Sequence, residues 1–313
     1  MKPSPSPIDV VSIRRGRSEI ARHSKSFAMA SRLLPPAIRD RASIVYAWCR
    51  RADDAIDAPN VDAVKAVARL ECEIDQIYGG GGSGDPILAG FAAIVRETEI
   101  PRRYPTELVA GMAMDATGYR YETDADLRLY AFRVAGVVGL MMCHVMGLGD
   151  RSALAAAARL GIAMQLTNIC RDVREDWERG RLYIPATLLR EVGGEWIAGH
   201  RDGPLPAAAR APLALAVARL LDRADVDYAA GDLGLPALPS SCRVAVGAAR
   251  RIYAGIGDRL KDRQCDVFAP RAVVSTPRKL LLAAAAAGAA LRAAVSPRVY
   301  RHALPELAFE EIA

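Results

Sequence analysis

NICRDVRED, residues 168–176, continues an apolar helical run into a series of acids. Asn168, Asp172 and Asp176 recur every fourth residue, and residues at that spacing share one face of an α-helix. A polar stripe on an otherwise apolar helix is costly to bury unless it lines a functional cavity. A shorter acidic segment, DDAID, occupies residues 53–57. The two segments, called here the central and the N-terminal acidic segments, predict helices that face each other across a cavity.

The N-terminal acidic segment repeats the spacing of the central one. Asp53 and Asp57 share a helix face, where like charges repel by roughly 0.2–0.5 kcal/mol per pair. A solvated face with pairing to Arg50 would relieve this repulsion, and so would a cation between the two helices. Helical bundles build metal sites from such inward-facing carboxylates. Oxygen ligands suit Mg²⁺, with Mn²⁺ as an alternative, and Mg²⁺ takes substrate phosphates as further ligands. The pattern therefore predicts a diphosphate site that depends on Mg²⁺.

Composition indicates a sizeable core and a mildly basic surface. The chain has 313 residues, of which 51% are apolar, and a formal net charge of +6. This excess suits anionic diphosphates or an acidic membrane surface. It does not indicate nucleic-acid binding, because no basic run with interleaved aromatic residues is present.

Cysteine usage and hydropathy indicate a cytoplasmic protein. None of the six cysteines forms a C-x-x-C pair, so they are interpreted as free thiols in a reducing compartment. Residues 1–9 are rich in Pro and Ser and lack the apolar region of a secretory signal. The longest apolar run, Leu280–Leu291, is shorter than the roughly 20 residues that span a bilayer. Peripheral contact with a membrane remains compatible with these features.

Helical patterns dominate the chain, and the alternation typical of β-strands is rare. We expect one all-α domain over residues 1–313, with flexible ends at 1–16 and 298–313. The stretch GGGGSG at 79–84 is interpreted as a helix connector, because it lacks the preceding strand and the Gly-Lys-Ser/Thr ending of a phosphate loop. The predicted helices are Arg41–Ala58, Val61–Tyr78, Asp85–Thr98, Pro105–Thr117, Asp126–Met146, Ser152–Trp177, Ala208–Ala230, Ser240–Arg263 and Thr276–Val295.

Separated motifs occur along the chain in the order found in one protein family. They are HSKSF at 23–27, YAWCR at 46–50 before DDAID, GMAMD at 111–115, Tyr130 with VAGVVGLM at 134–141, QLTN at 165–168, RGRLYIP at 179–185, GLPALP at 234–239, and DVF at 266–268 with Arg271 and Lys279. With these motifs the chain resembles the squalene/phytoene synthase family of head-to-head prenyltransferases, and within it the bacterial phytoene synthases. The resemblance runs from about residue 23 to about residue 282.

The resemblance implies an isoprenoid-synthase-type helical bundle around a central cavity. The implied Mg²⁺ ligands are Asp53, Asp57, Asn168, Asp172 and Asp176. The implied diphosphate contacts are Ser24, Ser26, Arg50, Arg171, Arg271 and Lys279, with Tyr253 close by. The implied positions along the cavity are Phe27, Tyr46, Tyr130, Val134, Gly139 and Gln165. Among all of these, the residues predicted to be catalytic are Tyr46, Arg50, Tyr130, Arg171 and Tyr253.

Some of these residues also have purely structural explanations. Ser24 and Ser26 could cap the N-terminus of a helix. Tyr130 could be an ordinary core tyrosine. Gly136 and Gly139 could leave room for a substrate chain, or they could serve close packing of two helices.

The reaction implied by the resemblance joins two C20 allylic diphosphates. One geranylgeranyl diphosphate loses diphosphate to give a carbocation, and the double bond of the second attacks it to form prephytoene diphosphate. Loss of the second diphosphate, rearrangement and proton loss then give phytoene, which commits the product to carotenoid biosynthesis. An apolar cavity protects such cations from water. The expected partners are the prenyl diphosphate, a membrane surface and a phytoene desaturase that receives the product.

Donor chain length is left open by the sequence. The alternative is a C30 relative that uses farnesyl diphosphate to make dehydrosqualene, presqualene diphosphate or squalene. The residues that could set the length are Phe27, Val134, Val138 and Met141. A non-catalytic family member, a helical interaction protein and a terpene cyclase are further alternatives. Complete acidic segments argue against the first, and residues 179–185 with Arg271 and Lys279 argue against the last.

Overall fold

A computed structural model of the chain describes residues 8–57, 62–80, 83–200 and 203–295. Those ranges are helical and contain no β-strand, so the predicted all-α fold is confirmed. Each predicted helix except Asp126–Met146 is present as one helix, with end points that differ by a few residues, whereas α1, α2 and α10 were not predicted. The helices are α1 (Val10–His23), α2 (Lys25–Ser31), α3 (Pro36–Asp57), α4 (Ala63–Gly79), α5 (Pro86–Thr98), α6 (Arg103–Ala116), α7 (Asp124–Ala131), α8 (Val137–Met146), α9 (Leu154–Glu178), α10 (Ala186–Glu191), α11 (Arg210–Gly234), α12 (Ser240–Lys261) and α13 (Thr276–Val295).

Short polar side chains fix where several helices begin. Asp9 caps α1, Ser24 caps α2 and Asp85 caps α5, each by accepting a backbone N–H of the first turn. At α7 the Thr123 side chain accepts from the Asp126 N–H while the Asp126 carboxylate accepts from the Thr123 N–H, which forms a capping box. The structural explanation of Ser24 as a helix cap is therefore confirmed.

The flexible N-terminus predicted for residues 1–16 is wrong from Val10 onward, where α1 begins. Gly16 of α1 lies so close to α3 that a Cβ atom on it would be 2.9 Å from the backbone nitrogen of Ile44. Contact with a distant helix therefore orders this segment, and local composition does not reveal such a contact. The first seven residues, and the C-terminal residues 298–313, lie outside the described ranges.

The single helix predicted over Asp126–Met146 consists of three pieces. α7 and α8 are joined by a π-helical segment, Phe132–Gly136, in which the Val137 N–H donates to the carbonyl of Phe132, five residues earlier. A π turn is wider than an α turn and is frequent at functional sites. It rotates the residues of α8 relative to those of α7, and this rotation decides which side chains of α8 reach the interior.

α9 forms the centre of the bundle, where α8, α11, α12 and the π-helical segment pack against it. α3 packs on α1, α5 and α8, and α12 packs on both α2 and α13. Trp48 of α3 is fully buried, and its indole N–H donates to Glu73 of α4 at 3.1 Å. The C-terminal half of α9 and the end of α3, which carry the two acidic segments, are thus anchored in a continuous core.

A buried ion triad joins three of these helices. Asp227 of α11 is completely buried and pairs with Arg128 of α7 at 2.7 Å and with Arg159 of α9 at 2.7 Å. Arg159 is itself nearly buried. The triad ties α9 to its two neighbours at Arg159, on the same helix as the central acidic segment.

Gly161 of α9 allows the closest helix crossing in the protein's centre. A Cβ atom on Gly161 would lie 2.4 Å from the carbonyl oxygen of Ala135 and 2.8 Å from Cα of Gly136. Because backbone would have to move, Gly161→Ala is expected to lower the free energy of unfolding by about 1–3 kcal/mol. Gly149, with nothing near its virtual Cβ atom, is the matched control, and Gly149→Ala should change stability by less than about 0.5 kcal/mol. Urea denaturation of both variants tests this, and equal midpoints would contradict it.

Two helical stretches, Asp124–Met146 and Arg151–Glu178, are long and apolar enough to cross a membrane by length and composition alone. More than half of the apolar window of each is buried inside the protein. Both stretches also line the central cavity described below. They are therefore explained as core helices of the bundle.

Candidate active site

An apolar cavity of about 370 Å³ lies between α3, α8, α9 and α12. Along α3 its lining changes from Ala42 to Asp53, and along α9 from Ala157 to Asn168. One end of the cavity is therefore polar and the other apolar, which suits a ligand with a long apolar chain and a charged group at one end. The predicted site residues that line the cavity are Phe27, Tyr46, Arg50, Asp53, Tyr130, Val134, Gly139, Gln165, Asn168 and Tyr253.

The N-terminal acidic segment forms one side of the polar end. Arg50 pairs with Asp53 at 2.7 Å and with the more exposed Asp54 at 2.5 Å. Asp57 pairs instead with Arg181, at 2.7 Å, in the loop after α9. Burial raises the pKa of Asp53 to about 6 against the opposing effect of Arg50, and the charge of Asp57 raises it further.

The central acidic segment reaches the cavity lining at Asn168, and Asp172 and Asp176 follow on the same helix. Asp172 accepts from Arg171 at 2.7 Å and from Arg271 at 2.8 and 2.9 Å. Burial raises the pKa of Asp172, but these hydrogen bonds outweigh it and hold the pKa below its usual value. Burial and the charge of Asp172 raise the pKa of Asp176 to about 7, and Asp176 forms no ion pair within the described parts of the chain.

Asn168 and Gln165 complete the polar end on α9. The Asn168 side-chain N–H donates to Oε1 of Gln165 at 3.3 Å. The other amide atom of Asn168, Oδ1, is buried and has no hydrogen-bond partner among the described residues. An orphaned buried acceptor costs free energy unless a cation or donor satisfies it. Asn168 therefore offers a free oxygen on the helix that carries Asp172 and Asp176.

This donor set fits Mg²⁺ bound together with a substrate. In the described ranges no group of three or more His, Cys, Asp or Glu side chains is close enough to bind a metal ion by itself. The available donors are carboxylate and amide oxygens on two opposite helices, which are hard ligands of the kind that Mg²⁺ takes. Because Mg²⁺ keeps waters and uses substrate phosphates as ligands, a few protein oxygens on each side are sufficient.

Three aromatic side chains stand beside the polar end. The ring of Phe27 lies 5.0 Å from that of Tyr253 and 6.0 Å from that of Tyr46. Burial, more than any neighbouring charge, raises the pKa of both tyrosines, so they keep their protons. Tyr253 also hydrogen-bonds with the Ser24 side chain and lies near Arg171. Aromatic faces of this kind attract cations.

The remaining predicted diphosphate contacts lie less close to the cavity. Arg271 is half exposed and reaches Glu175 at 3.3 Å as well as Asp172. Lys279, at the start of α13, is buried, and burial together with the charge of Lys25 lowers its pKa. Ser26 is half-buried in the first turn of α2 and does not line the cavity. The structure thus brings Arg271 to the acidic rim, whereas Ser26 makes no described contact with it.

Asp115 of α6 is a site residue that sequence reasoning missed. Its carboxylate accepts from the hydroxyls of Tyr130 and Tyr183, both at 2.8 Å. Burial raises the pKa of Asp115, and the charge of Arg181 and the two hydrogen bonds oppose that rise. Asp115 lies in the motif at 111–115, and Arg181 and Tyr183 lie in the motif at 179–185, so each residue was recognisable in the sequence. The spacing of residues along the chain does not show that α6 and the loop after α9 are in contact.

The predicted chain-length residues are partly wrong. Phe27, Val134 and Val138 line the cavity, whereas Met141 is fully buried elsewhere and Met142 lines the cavity in its place. Gly139 lines the cavity and also packs closely, since a Cβ atom on it would be 2.9 Å from the carbonyl oxygen of Ala157.

Comparison with known proteins assigns this arrangement to a family. Residues 20–278 match the family described as squalene/phytoene synthase. The chain belongs to that family. A phytoene synthase from Rhodobacter capsulatus is 41% identical over 298 residues, which cover 93% of this chain and 86% of that protein. A 15-cis-phytoene synthase from a Paracoccus species is 38% identical over 269 residues, 83% of this chain and 86% of that protein.

Solved structures agree with the fold. A dehydrosqualene synthase superposes with a TM-score of 0.81 at 28% identity and covers 90% of this chain and 97% of that one. A squalene synthase from Alicyclobacillus acidocaldarius superposes with a TM-score of 0.74 at 22% identity, over 82% of this chain and 96% of that one. The resemblance predicted from the motifs and the isoprenoid-synthase-type bundle are both confirmed.

Proposed function

We propose that this chain is a 15-cis-phytoene synthase, a prenyltransferase that joins two geranylgeranyl diphosphates head to head. The observation that carries this proposal is the identity of 41% and 38% to bacterial phytoene synthases over most of both chains. The site supports it, because each acidic segment contributes one residue, Asp53 or Asn168, to the lining of an apolar cavity. The likeness to a dehydrosqualene synthase keeps the C30 reaction as the second candidate.

The side chains around the cavity have different proposed roles, according to their positions. Arg50, Arg171 and Arg271 offer planar forks that neutralise diphosphate oxygens, and Lys279 adds a point charge. Mg²⁺, bound by carboxylates of both acidic segments, would neutralise the charge that develops on the departing diphosphate. The apolar walls exclude water from the cations, and the aromatic faces beside the polar end attract them.

A product assay tests the proposal. Purified protein with Mg²⁺ is offered C20 and C15 diphosphates separately, each with and without NADPH. Phytoene from the C20 donor without NADPH is the expected result. A C30 product from the C15 donor alone would move the chain to the second candidate, and no product from either donor would overturn both.

Proton competition should make the Mg²⁺ requirement depend on pH. The raised pKa of Asp176, about 7, and of Asp53, about 6, means that these carboxyls hold protons until the pH exceeds those values. A metal ligand must lose its proton, so the Mg²⁺ concentration for half-maximal turnover should rise as the pH falls from about 8 to 6, by up to about tenfold per unit. Mg²⁺ binding to free diphosphate, measured at each pH, is the control. A half-saturating concentration that does not move beyond that control would contradict the assignment.

A membrane surface is the second partner that we propose, with hand-over of the apolar product to a phytoene desaturase there. α13 contains no acidic residue. It exposes Leu280 and Leu281 by about 60% and Leu291 by 74%. Arg278, also exposed, precedes these leucines on α13, and a basic residue together with exposed apolar residues favours binding to anionic lipid.

Flotation with anionic vesicles tests this surface. Wild-type protein should float, and Leu280→Glu combined with Leu291→Glu should reduce the floated fraction about tenfold or more, since each change removes buried apolar area and adds a like charge. Val226, an equally exposed apolar residue of α11, is the matched control, and Val226→Glu should float as wild type does. Equal flotation of the double variant would exclude α13 as the contact.

A further inference from the structure

Asp115 lies where three separate segments meet behind the cavity wall. It belongs to α6, Tyr130 belongs to α7, and Tyr183 belongs to the loop that follows α9. Both tyrosine hydroxyls donate to its carboxylate, to Oδ2 and Oδ1 respectively, at 2.8 Å. The two hydroxyl oxygens are 3.2 Å apart, so the shorter bonds to the charged carboxylate take both hydrogens.

The surroundings of Asp115 are rigid and aromatic. The rings of Tyr130 and Tyr183 stack at 4.9 Å, and Tyr121 lies 5.4 Å from each of them. Arg181, whose charge faces Asp115, also pairs with Asp57 at 2.7 Å. Asp115 is therefore held by hydrogen bonds from two tyrosines, and it feels the charge of an arginine that pairs with the N-terminal acidic segment.

This geometry determines what Tyr130 presents to the cavity that it lines. A hydroxyl hydrogen committed to Asp115 cannot also point toward the substrate. Tyr130 then offers the cavity an electron-rich ring and oxygen, which attract a carbocation, and it offers no hydrogen for donation to a departing diphosphate. A dipole that is oriented before the reaction stabilises developing charge without reorganisation.

We propose that Asp115 is a positioning residue that orients the Tyr130 hydroxyl, assisted by Tyr183, so that Tyr130 faces the cationic intermediates as a fixed electron-rich group. This inference rests on the proposed function. It assigns a role to a carboxylate that is separate from the two acidic segments. Asp115 acts through Tyr130 and needs no contact with Mg²⁺ or with diphosphate.

The first test is a double-mutant cycle. Asn at position 115 has a single acceptor oxygen, so one of the two hydroxyls must turn away. Asp115→Asn is expected to lower kcat about 100-fold and to change KM less than about threefold. Combining Asp115→Asn with Tyr130→Phe should lower kcat no further than the worse single variant, because both remove the same oriented group.

The second test uses a variant that leaves the cavity wall unchanged. Tyr183 does not line the cavity, and Tyr183→Phe should lower kcat about tenfold by freeing one bond to Asp115. Tyr78 of α4, whose hydroxyl donates to the carbonyl of Ile100 at 3.0 Å and not to Asp115, is the matched control, and Tyr78→Phe should keep the wild-type kcat.

Several outcomes would overturn the proposal. One is a kcat of the double variant that equals the product of the two single losses, and another is a wild-type kcat in Asp115→Asn. The third is a kcat of Asp115→Asn that higher Mg²⁺ restores, which would place Asp115 in the metal site. Thermal unfolding of every variant establishes that it folds. If Asp115→Asn does not fold, the kcat of Tyr183→Phe tests the proposal in its place. If wild-type protein makes a C30 product in place of phytoene, the same variants are measured on that product, so failure of the proposed function leaves this test intact.

Discussion

Asp172→Ala is expected to lower turnover at least about 1000-fold while the helical content stays that of the wild type. Asp172 is a predicted Mg²⁺ ligand whose carboxylate is held in place by hydrogen bonds, since Arg171 and Arg271 both donate to it. Its removal takes away a metal ligand and leaves two arginines without their shared acceptor. Loss of charge neutralisation at a departing group typically costs two to three orders of magnitude or more. Single-turnover assays at saturating Mg²⁺ measure the loss, and circular dichroism checks the fold.

Glu178 is the control on the same helix. It is exposed and pairs with Arg174 at 3.1 Å, away from the cavity. Glu178→Ala should leave turnover within about twofold of wild type, because exposed pairs of this kind contribute little. Turnover of Asp172→Ala within about tenfold of wild type would overturn the metal assignment for the central acidic segment.

The N-terminal acidic segment offers a still closer comparison. Asp53 and Asp54 are neighbours and both pair with Arg50, but only Asp53 lines the cavity. Asp53→Ala should therefore match the large loss of Asp172→Ala, while Asp54→Ala should lose far less. Equal losses in the two variants would mean that the segment acts through Arg50 and not through a bound cation.

Sequence periodicity was sufficient to predict the helices and the polar end of the site. Residues four apart share a face in any regular α-helix, and α3 and α9 are regular through both acidic segments. Asp53 and Asn168 therefore line the same cavity. The capping signal at Ser24 is equally local, and that cap is present.

The π-helical segment explains a specific failure of the same periodicity. Counting from Tyr130 in α-helical steps places Met141 on the cavity face. The wider turn at Phe132–Gly136 shifts the later residues by about one position, and Met142 lines the cavity instead. The turn lies where α9 crosses closely at Gly161, and a contact between distant segments is not visible in a local residue pattern.

Long-range partners were the other part that sequence could not supply. Asp115 and Tyr183 are separated by 68 positions and meet only because the loop after α9 returns to α6. Each motif was recognisable by itself, but a pairing between motifs depends on tertiary contacts. The same holds for α1, which is ordered by its packing on α3 and not by its own composition.

Asp227→Ala is expected to lower the free energy of unfolding by about 3–5 kcal/mol. Asp227 is fully buried, and its loss would leave Arg128 and Arg159 with uncompensated charges in the core. Breaking a buried ion pair from one side carries a penalty of that size, which is a large share of the roughly 5–15 kcal/mol that stabilises a typical domain. Urea denaturation at constant slope measures it. Asp232→Ala, which removes a partly exposed pair with Arg250 at 2.8 Å, should cost less than about 1 kcal/mol.

A compensated variant separates net charge from packing at this triad. Replacing Asp227, Arg128 and Arg159 together by apolar residues of similar volume should recover most of the loss, since a buried ionic cluster is often no more stable than its apolar replacement. The Asp227→Ala variant should lose turnover in proportion to its unfolded fraction, and the compensated variant should regain it. Turnover also reports on the position of α9, because Arg159 lies on the helix of the central acidic segment. A compensated variant that is stable yet inactive would instead show that the triad sets the position of α9. An Asp227→Ala variant whose free energy of unfolding is within about 1 kcal/mol of wild type would show that neither arginine needs Asp227 as a partner.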